Sequence, residues 1–266
     1  MKLYIKATST YLSDEELDIK KELKQRYKLD TRRQDSFIHL AVLGAQRLKD
    51  ITDIKKDDEL YLTSGVGNID VIQRINRSVY EEKQFIKPFD FINTLGNTTS
   101  YYVATSLGIK GKNIFQISDN FTYINSLISI YSSLSMSKKE AIFGCVDLVS
   151  EPDEILKRVL GISENCELVS GVNYQKLSVN NEDSISEIEF DTKFYTLDEI
   201  KEILKDSDKE IFSSFRCSEI DAKKESKFFE TELSYVINKR VESKKDMIYI
   251  DCFNGRYKIL RLKSLR

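Results

Sequence analysis

Apolar and polar positions along this chain alternate between two periods, and the switches between them divide it into strands and helices. Leu3 to Thr10 alternates with the two-residue period of a half-buried strand. The charged run Ser13-Asp-Glu-Glu-Leu-Asp18 predicts a helix start with Ser13 as cap and Glu16 in the reciprocal position. Phe37, Leu40, Ala41, Leu43, Gly44 and Leu48 recur at helical spacing after Asp35. Glu59 to Ser64 reads as a strand feeding Gly65-Val-Gly67, and Val71, Ile72, Ile75 and Val79 mark a helix over 70–82. Pro88 disfavours helix at Lys87 and predicts an ordered loop, with a turn at Asn93-Thr-Leu-Gly-Asn97 capping a helix over 98–107. Asn113 to Ser118 is a short β run entering a helix. Ala141 to Val146 is wholly apolar, the pattern of a strand covered on both faces.

Further along, a charged helix runs from Glu151 to Leu160, and Cys166 to Val179 alternates like a strand. Then follow a strand (185–195), a helix capped by Thr196 (197–204), a strand (210–215), a long helix (223–241) and a final strand pair (246–251 and 256–263). This order predicts an α/β fold with a mixed sheet covered by helices.

Composition narrows the function classes. The chain has 266 residues, 41% of them hydrophobic, enough to bury a sizeable core. Its formal net charge of −2 gives no overall field to recruit nucleic acid or a membrane surface. The start is too short and too charged for a signal peptide, and no window holds eighteen apolar residues, so a cytoplasmic protein is expected. Four cysteines, at 145, 166, 217 and 252, form no CxxC pair and read as buried thiols. A single histidine, His39, excludes a histidine-cluster metal site, and neither metal nor cofactor is expected. Gly65-Val-Gly67 lacks the third glycine and the Lys-Ser/Thr of a phosphate loop, so it reads as a structural turn.

The stretch from Phe85 to Asp147 resembles the central part of a β-ketoacyl synthase, the condensing enzyme of the thiolase fold. The resemblance rests on the loop and helix of 85–108, the strand and elbow of 111–127, and the strand Glu140-Ala-Ile-Phe-Gly-Cys-Val-Asp147. It implies a thiolase-like layered sheet, with residues 1–180 as a ketosynthase-like first half and 181–266 as an abridged second half completing the same domain. Laid on without gaps, it puts Asn120 where the family carries its nucleophilic cysteine. A helix N-terminus there would lower a thiol's pKa, whereas a carboxamide is no nucleophile. Asn120 equally suits a helix cap.

By the same resemblance, Thr94, Leu95, Asn97 and Thr98 belong to a dimer interface bordering an acyl tunnel. Asn113, Phe115 and Ile117 lie on the adjoining strand, and bulky Phe121 and Tyr123 stand where the family has small residues. Neither the cysteine nor the two histidines of the family are available. The implied role is therefore that of a chain-length-factor-like subunit pairing with a complete ketosynthase, with an acyl carrier protein as a possible further partner. Two alternatives stand: a thioester-processing enzyme using Ser118, Thr122 or Cys145, and a homodimer built through the 113–118 strand. The basic tail (Arg256, Lys258, Arg261, Lys263, Arg266) suits either a docking patch for an acidic carrier or, preferably, charges protecting an edge strand.

Overall fold

Nine strands form one sheet whose order exposes an internal repeat. The computed structural model describes residues 1–118, 120–149, 153–162, 164, 168–205, 207–225 and 231–266. The strands are β1 (Lys2–Leu12), β2 (Glu59–Ser64), β3 (Asn113–Ile117), β4 (Ala141–Asp147), β5 (Gly171–Ser178), β6 (Ser186–Phe190), β7 (Ile211–Ser213), β8 (Met247–Phe253) and β9 (Arg256–Ser264). Their order is β3-β2-β4-β5-β1-β6-β9-β8-β7. Read outward from the central β1/β6 pair, the first half runs β1-β5-β4-β2-β3 and the second runs β6-β9-β8-β7. Both halves use the same pairings: antiparallel across the first two steps, parallel at the third. Among the described residues β3 has no counterpart in the second half, which is therefore the abridged one.

The helices are α1 (Ile19–Gln25), α2 (Ser36–Lys49), α3 (Ile69–Asn76), α4 (Pro88–Asn93), α5 (Gly96–Leu107), α6 (Thr122–Ser137), α7 (Glu154–Leu160), α8 (Leu197–Lys205) and α9 (Glu232–Glu242). Strand alternation sorts them into layers. In the first half, Leu60, Leu62, Ile142 and Val146 face a core shared with α2 and α5. The opposite faces of these strands, with Tyr61, Phe143 and Cys145, join Met247, Tyr249, Leu260 and Leu262 of the second half around α6 and α9. On the outer face of the second half, Ile248, Ile250, Tyr257 and Ile259 pack against Ile200 of α8. The result is an α/β/α/β/α stack with α6 and α9 at its centre. At α2 the approach to the sheet is so close that a Cβ on Gly44 would stand 2.6 Å from Val172 Cγ2.

Several expectations change. Ser13 caps no helix: its amide donates to Ser170 O (2.9 Å) and its hydroxyl accepts from Ser170 N (3.1 Å), extending the β1/β5 pairing. The cap of α1 is Asp18, whose carboxylate accepts from Lys21 N at 2.9 Å. Pro88 starts a helix instead of a loop, because at the first helical position its missing N–H costs nothing. The helix expected from Thr98 begins two residues earlier, leaving Asn97 and Thr98 inside its first turn. Lys223, placed in a long helix, is extended and bridges to Phe212. The strand expected over 166–179 is described from Gly171, and Cys166 lies outside the described residues. The basic tail protects no edge, since β9 lies between β6 and β8.

The expected Thr196 cap is present: Glu199 N donates to Thr196 Oγ1 (3.3 Å) and Thr196 N to Glu199 Oε2 (2.8 Å). At the β8/β9 turn, Asn254 and Gly255 both take positive φ, as a two-residue hairpin demands.

Candidate functional site at the β3 to α6 elbow

Between β3 and α6 the chain turns sharply at Ser118, Asn120 and Phe121. Ser118 Oγ donates to Asn120 O (2.8 Å), and Thr122 Oγ1 reaches back to Ser118 O (2.5 Å). Phe121 closes the turn in the left-handed region (φ 46°, ψ 29°), which a bulky side chain adopts only where its surroundings impose it. Asn120 thus stands at the foot of a central helix, and Ser118 is committed to holding the turn. The sole histidine cannot assist here: His39 belongs to α2, on the outer face of the sheet. It is buried with Nε2 3.2 Å from Thr31 O, and burial pulls its pKa down.

Phe121 is buried and packs edge-on against Phe194 of the second half, with ring centroids 5.5 Å apart. Tyr123 is also buried. Its ring lies on Phe143 (5.1 Å) and its hydroxyl donates to Gln175 Oε1 at 2.5 Å. Gln175 Nε2 in turn donates to Asn238 Oδ1 (2.9 Å) on α9, and Asn238 Nδ2 to Ser9 O (3.0 Å). Tyr123 is therefore spent on tying the two central helices through β5. Cys145 lies beneath, fully buried, and burial raises its thiol well above the ordinary range, which disfavours the thiolate a nucleophile needs.

A second clasp sits at the ends of the parallel strands. Asp147 Oδ1 accepts from Ser64 Oγ and Gly65 N, both at 3.0 Å. Its Oδ2 accepts from Thr231 N (3.2 Å) and from the Thr231 hydroxyl, just ahead of α9. One carboxylate thus joins the glycine turn of the first half to the central helix of the second. Burial raises its pKa against the pull of these donors. The next residue, Glu232, is only 2% exposed, and burial raises it well above the usual range. Sequence reasoning noted Asp147 as a strand end but missed the clasp. The available signal was a lone acid closing an otherwise apolar strand.

The remaining expected residues gather on one flank. Asn113, Phe115 and Ile117 lie on β3, which closes the sheet with β2 as its described neighbour. Asn113 is exposed and Ile117 is 53% exposed, whereas Phe115 packs inward, edge-on to Phe37. Thr94 and Leu95 connect α4 to α5, with Thr94 Oγ1 on Phe91 O (2.7 Å) and Thr98 Oγ1 on Ile92 O (2.8 Å). Among the described residues, eleven of the sixteen exposed large hydrophobic ones fall between Ile72 and Ile117, among them Phe85 at 99% exposure, Phe89, Phe91, Ile92, Leu95 and Tyr101. The interface candidates are thus together, while Phe121 and Tyr123 lie in the interior. No helix among the described residues is long and apolar enough to cross a membrane.

Paired half-sheets around two central helices, with an elbow at the foot of one of them, define an α/β fold of the thiolase type. No protein-family model matches the chain, and no curated protein matches it by sequence. Solved structures do. The chain is similar to the ishigamide ketosynthase/chain length factor, with a TM-score of 0.75 at 10% identity over 100% of both chains. It is also similar to the ketosynthase ApeO in complex with its chain length factor ApeC from Xenorhabdus doucetiae (TM-score 0.63, 10% identity, 98% of this chain and 99% of that one). A further likeness is to 3-oxoacyl-(acyl carrier protein) synthase III, FabH, from Pseudomonas aeruginosa PAO1 (TM-score 0.57, 11% identity, 100% and 99%). At such identities the likeness is one of fold.

Proposed function

We propose that this chain is a non-catalytic, ketosynthase-like subunit, resembling a chain length factor. It pairs with a complete β-ketoacyl synthase and shapes the acyl tunnel in type II fatty acid or polyketide synthesis, polyene synthesis included. The observation that carries this reading is the elbow. It keeps its strand, turn and helix, yet presents Asn120 and buried Phe121, and decarboxylative condensation needs a thiolate to hold the acyl chain. Fold alone does not bring an activity with it, so the missing nucleophile weighs more than the architecture.

The flank supports the pairing. β3 is an edge strand without a charged residue, bordered by the apolar side chains of α4 and α5, the kind of edge a protein ordinarily blunts unless something covers it. Its occupant in this reading is the partner ketosynthase, with an acidic acyl carrier protein visiting the pair in the cytoplasm.

Co-expression with a full-length ketosynthase tests it. The expected result is a stable heterodimer that Leu95→Asp and Phe91→Asp break without altering the circular dichroism of the isolated subunit. Incubation with acyl-carrier thioesters is expected to leave its mass unchanged. A subunit that stays monomeric beside the ketosynthase, or that acquires an acyl adduct, would overturn the reading. A homodimer through β3 is the other outcome of the same experiment and equally overturns it.

A further inference from the structure

A cleft of about 650 Å³ opens where the starts of α1 and α2 meet α3 and α4, and no residue of the elbow or of the Asp147 clasp lines it. Asp35 stands in its wall and caps α2: Oδ1 accepts from Ile38 N (3.0 Å) and Oδ2 from Asn68 Nδ2 (2.7 Å). Neither bond brings a counter-charge, and burial raises the pKa of the carboxyl group. The Arg74 guanidinium in the same wall is already taken up by Asp70 (3.1 Å) and Asp90 (2.9 Å). His39, one turn along α2, also lines the cleft. Its Nε2 faces a carbonyl, Thr31 O at 3.2 Å, and so carries the ring's proton, which leaves Nδ1 as an acceptor without a partner among the described residues. Burial, with Lys20 and Lys24 nearby, keeps the ring neutral. Asn68, 6% exposed, also donates to Asn93 O of the wall (3.0 Å), and its Oδ1 is unpartnered. The two lining cations that form no ion pair among the described residues, Lys20 and Arg33, are both exposed. Arg33 stacks on the ring of Phe89 at 4.8 Å, from a left-handed backbone (φ 63°) that its surroundings impose.

We propose that this cleft binds a free α-amino acid with an apolar side chain. The ammonium group of such a ligand supplies the donors and the positive charge that Asp35 and His39 Nδ1 lack, and its carboxylate meets Arg33 and Lys20. Its side chain lies against Phe89 and the apolar wall of Leu17 and Ile19. A plain cation is disfavoured by Lys20, Arg33 and Arg74, and a plain anion by Asp35 and Asp90, so a ligand carrying both signs is the one that suits the charges of the cleft. Arg33 and Asp35 are two residues apart, which matches the short span between the two charges of an α-amino acid. The site stands independently of the proposed function.

The experiment titrates the full chain with L-phenylalanine, phenethylamine and 3-phenylpropionate, following the backbone amide signals of Gln34 and Ser36. The two analogues each lack one of the charges. Phenylalanine is expected to bind about fivefold to tenfold more tightly than either, one charge-assisted contact's worth at a partly exposed site in each case. Arg33→Gln, at an exposed position, is expected to abolish the advantage over phenethylamine and to keep the advantage over 3-phenylpropionate. Asp35→Asn is expected to do the reverse, because an asparagine at this position still caps Ile38 N. Should Asp35→Asn fail to fold, the ligand series and Arg33→Gln decide alone. Equal affinity for phenylalanine and either analogue, no saturable shift with phenylalanine at about 10 mM, or an undiminished advantage over phenethylamine in Arg33→Gln overturns the site. Co-purification with a ketosynthase is scored separately, so an absent amino-acid site with an intact heterodimer refutes this inference alone.

Discussion

Asp147→Ala is the most informative single change, because one carboxylate holds four donors drawn from both halves of the fold. Removing it orphans two buried amides, Gly65 N–H and Thr231 N–H, and frees two hydroxyls. The Ser64 hydroxyl keeps a role, since its oxygen already accepts from Gly67 N at 2.9 Å. Each stranded buried amide costs about 1–3 kcal/mol. The loss is partly offset because the carboxylate's own desolvation, the cause of its raised pKa, disappears with it. A net loss of about 3 kcal/mol is expected for Asp147→Ala, and about 1–2 kcal/mol for Asp147→Asn, whose amide oxygen still accepts on one side. Urea unfolding gives the totals, and a double-mutant cycle with Thr231→Val isolates the contact between the halves, expected at about 1 kcal/mol. An alanine variant within about 0.5 kcal/mol of the parent, the usual range for an uninvolved surface residue, would refute the clasp. So would additive losses in the cycle.

Three further outcomes are expected. Glu232 is held neutral when folded, so above the ordinary carboxylate range the unfolded chain ionises while the folded one does not. Stability should therefore fall as pH rises from about 4.5, and the urea midpoint of Glu232→Gln should gain on the parent over that climb and match it below. Gly44→Ala forces a methyl group to within 2.6 Å of Val172, so a loss of about 1–3 kcal/mol is expected in thermal unfolding, partly recovered by Val172→Ala. Tyr123→Phe strands Gln175 Oε1 in the interior and should cost about 1–2 kcal/mol. Exchange of the α9 amides is expected to quicken in the same variant, because Gln175 carries the link onward to Asn238.

The strands were legible because their signal is local. The alternation of Leu3 to Thr10 and the apolar run of Ala141 to Val146 each report a face, and each became a strand within a residue or two of its expected ends. Helix starts were harder, since several residues compete for each cap. Ser13 and Glu16 match a capping box in sequence, but β1 runs on through Leu12 and takes Ser13 into its ladder. Position in the stack was beyond local reading. Nothing near Lys258 indicates that β9 would be enclosed between β6 and β8, and nothing near Asp147 indicates a partner 84 residues away at Thr231. Tyr123 was expected at a tunnel by its place next to the elbow, yet its hydroxyl closes a hydrogen-bond chain assembled from four separate segments.

The two ends of the sheet differ in a way that bears on where a partner would dock. At the β7 end the strand is three residues long, Lys223 bridges alongside Phe212, and Lys223 pairs with Glu210. Short length and flanking charge are the ordinary means of keeping an edge from pairing with another chain. At the β3 end the strand carries no charge, shows Ile114 and Ile117 to solvent, and adjoins the exposed apolar residues of α4 and α5. The abridgement thus fell on the guarded side and left the first half with its full set of five strands. If docking were incidental, trimming and guarding would have no reason to divide between the two edges in this way. Under the proposed function they do, because the complete half is the one that meets the ketosynthase. Placing a lysine at Ile117 separates the two accounts: Ile117→Lys should leave the unfolding free energy within about 0.5 kcal/mol of the parent in urea, being exposed, while abolishing the heterodimer. A heterodimer that survives an edge charge would mean that the partner binds elsewhere.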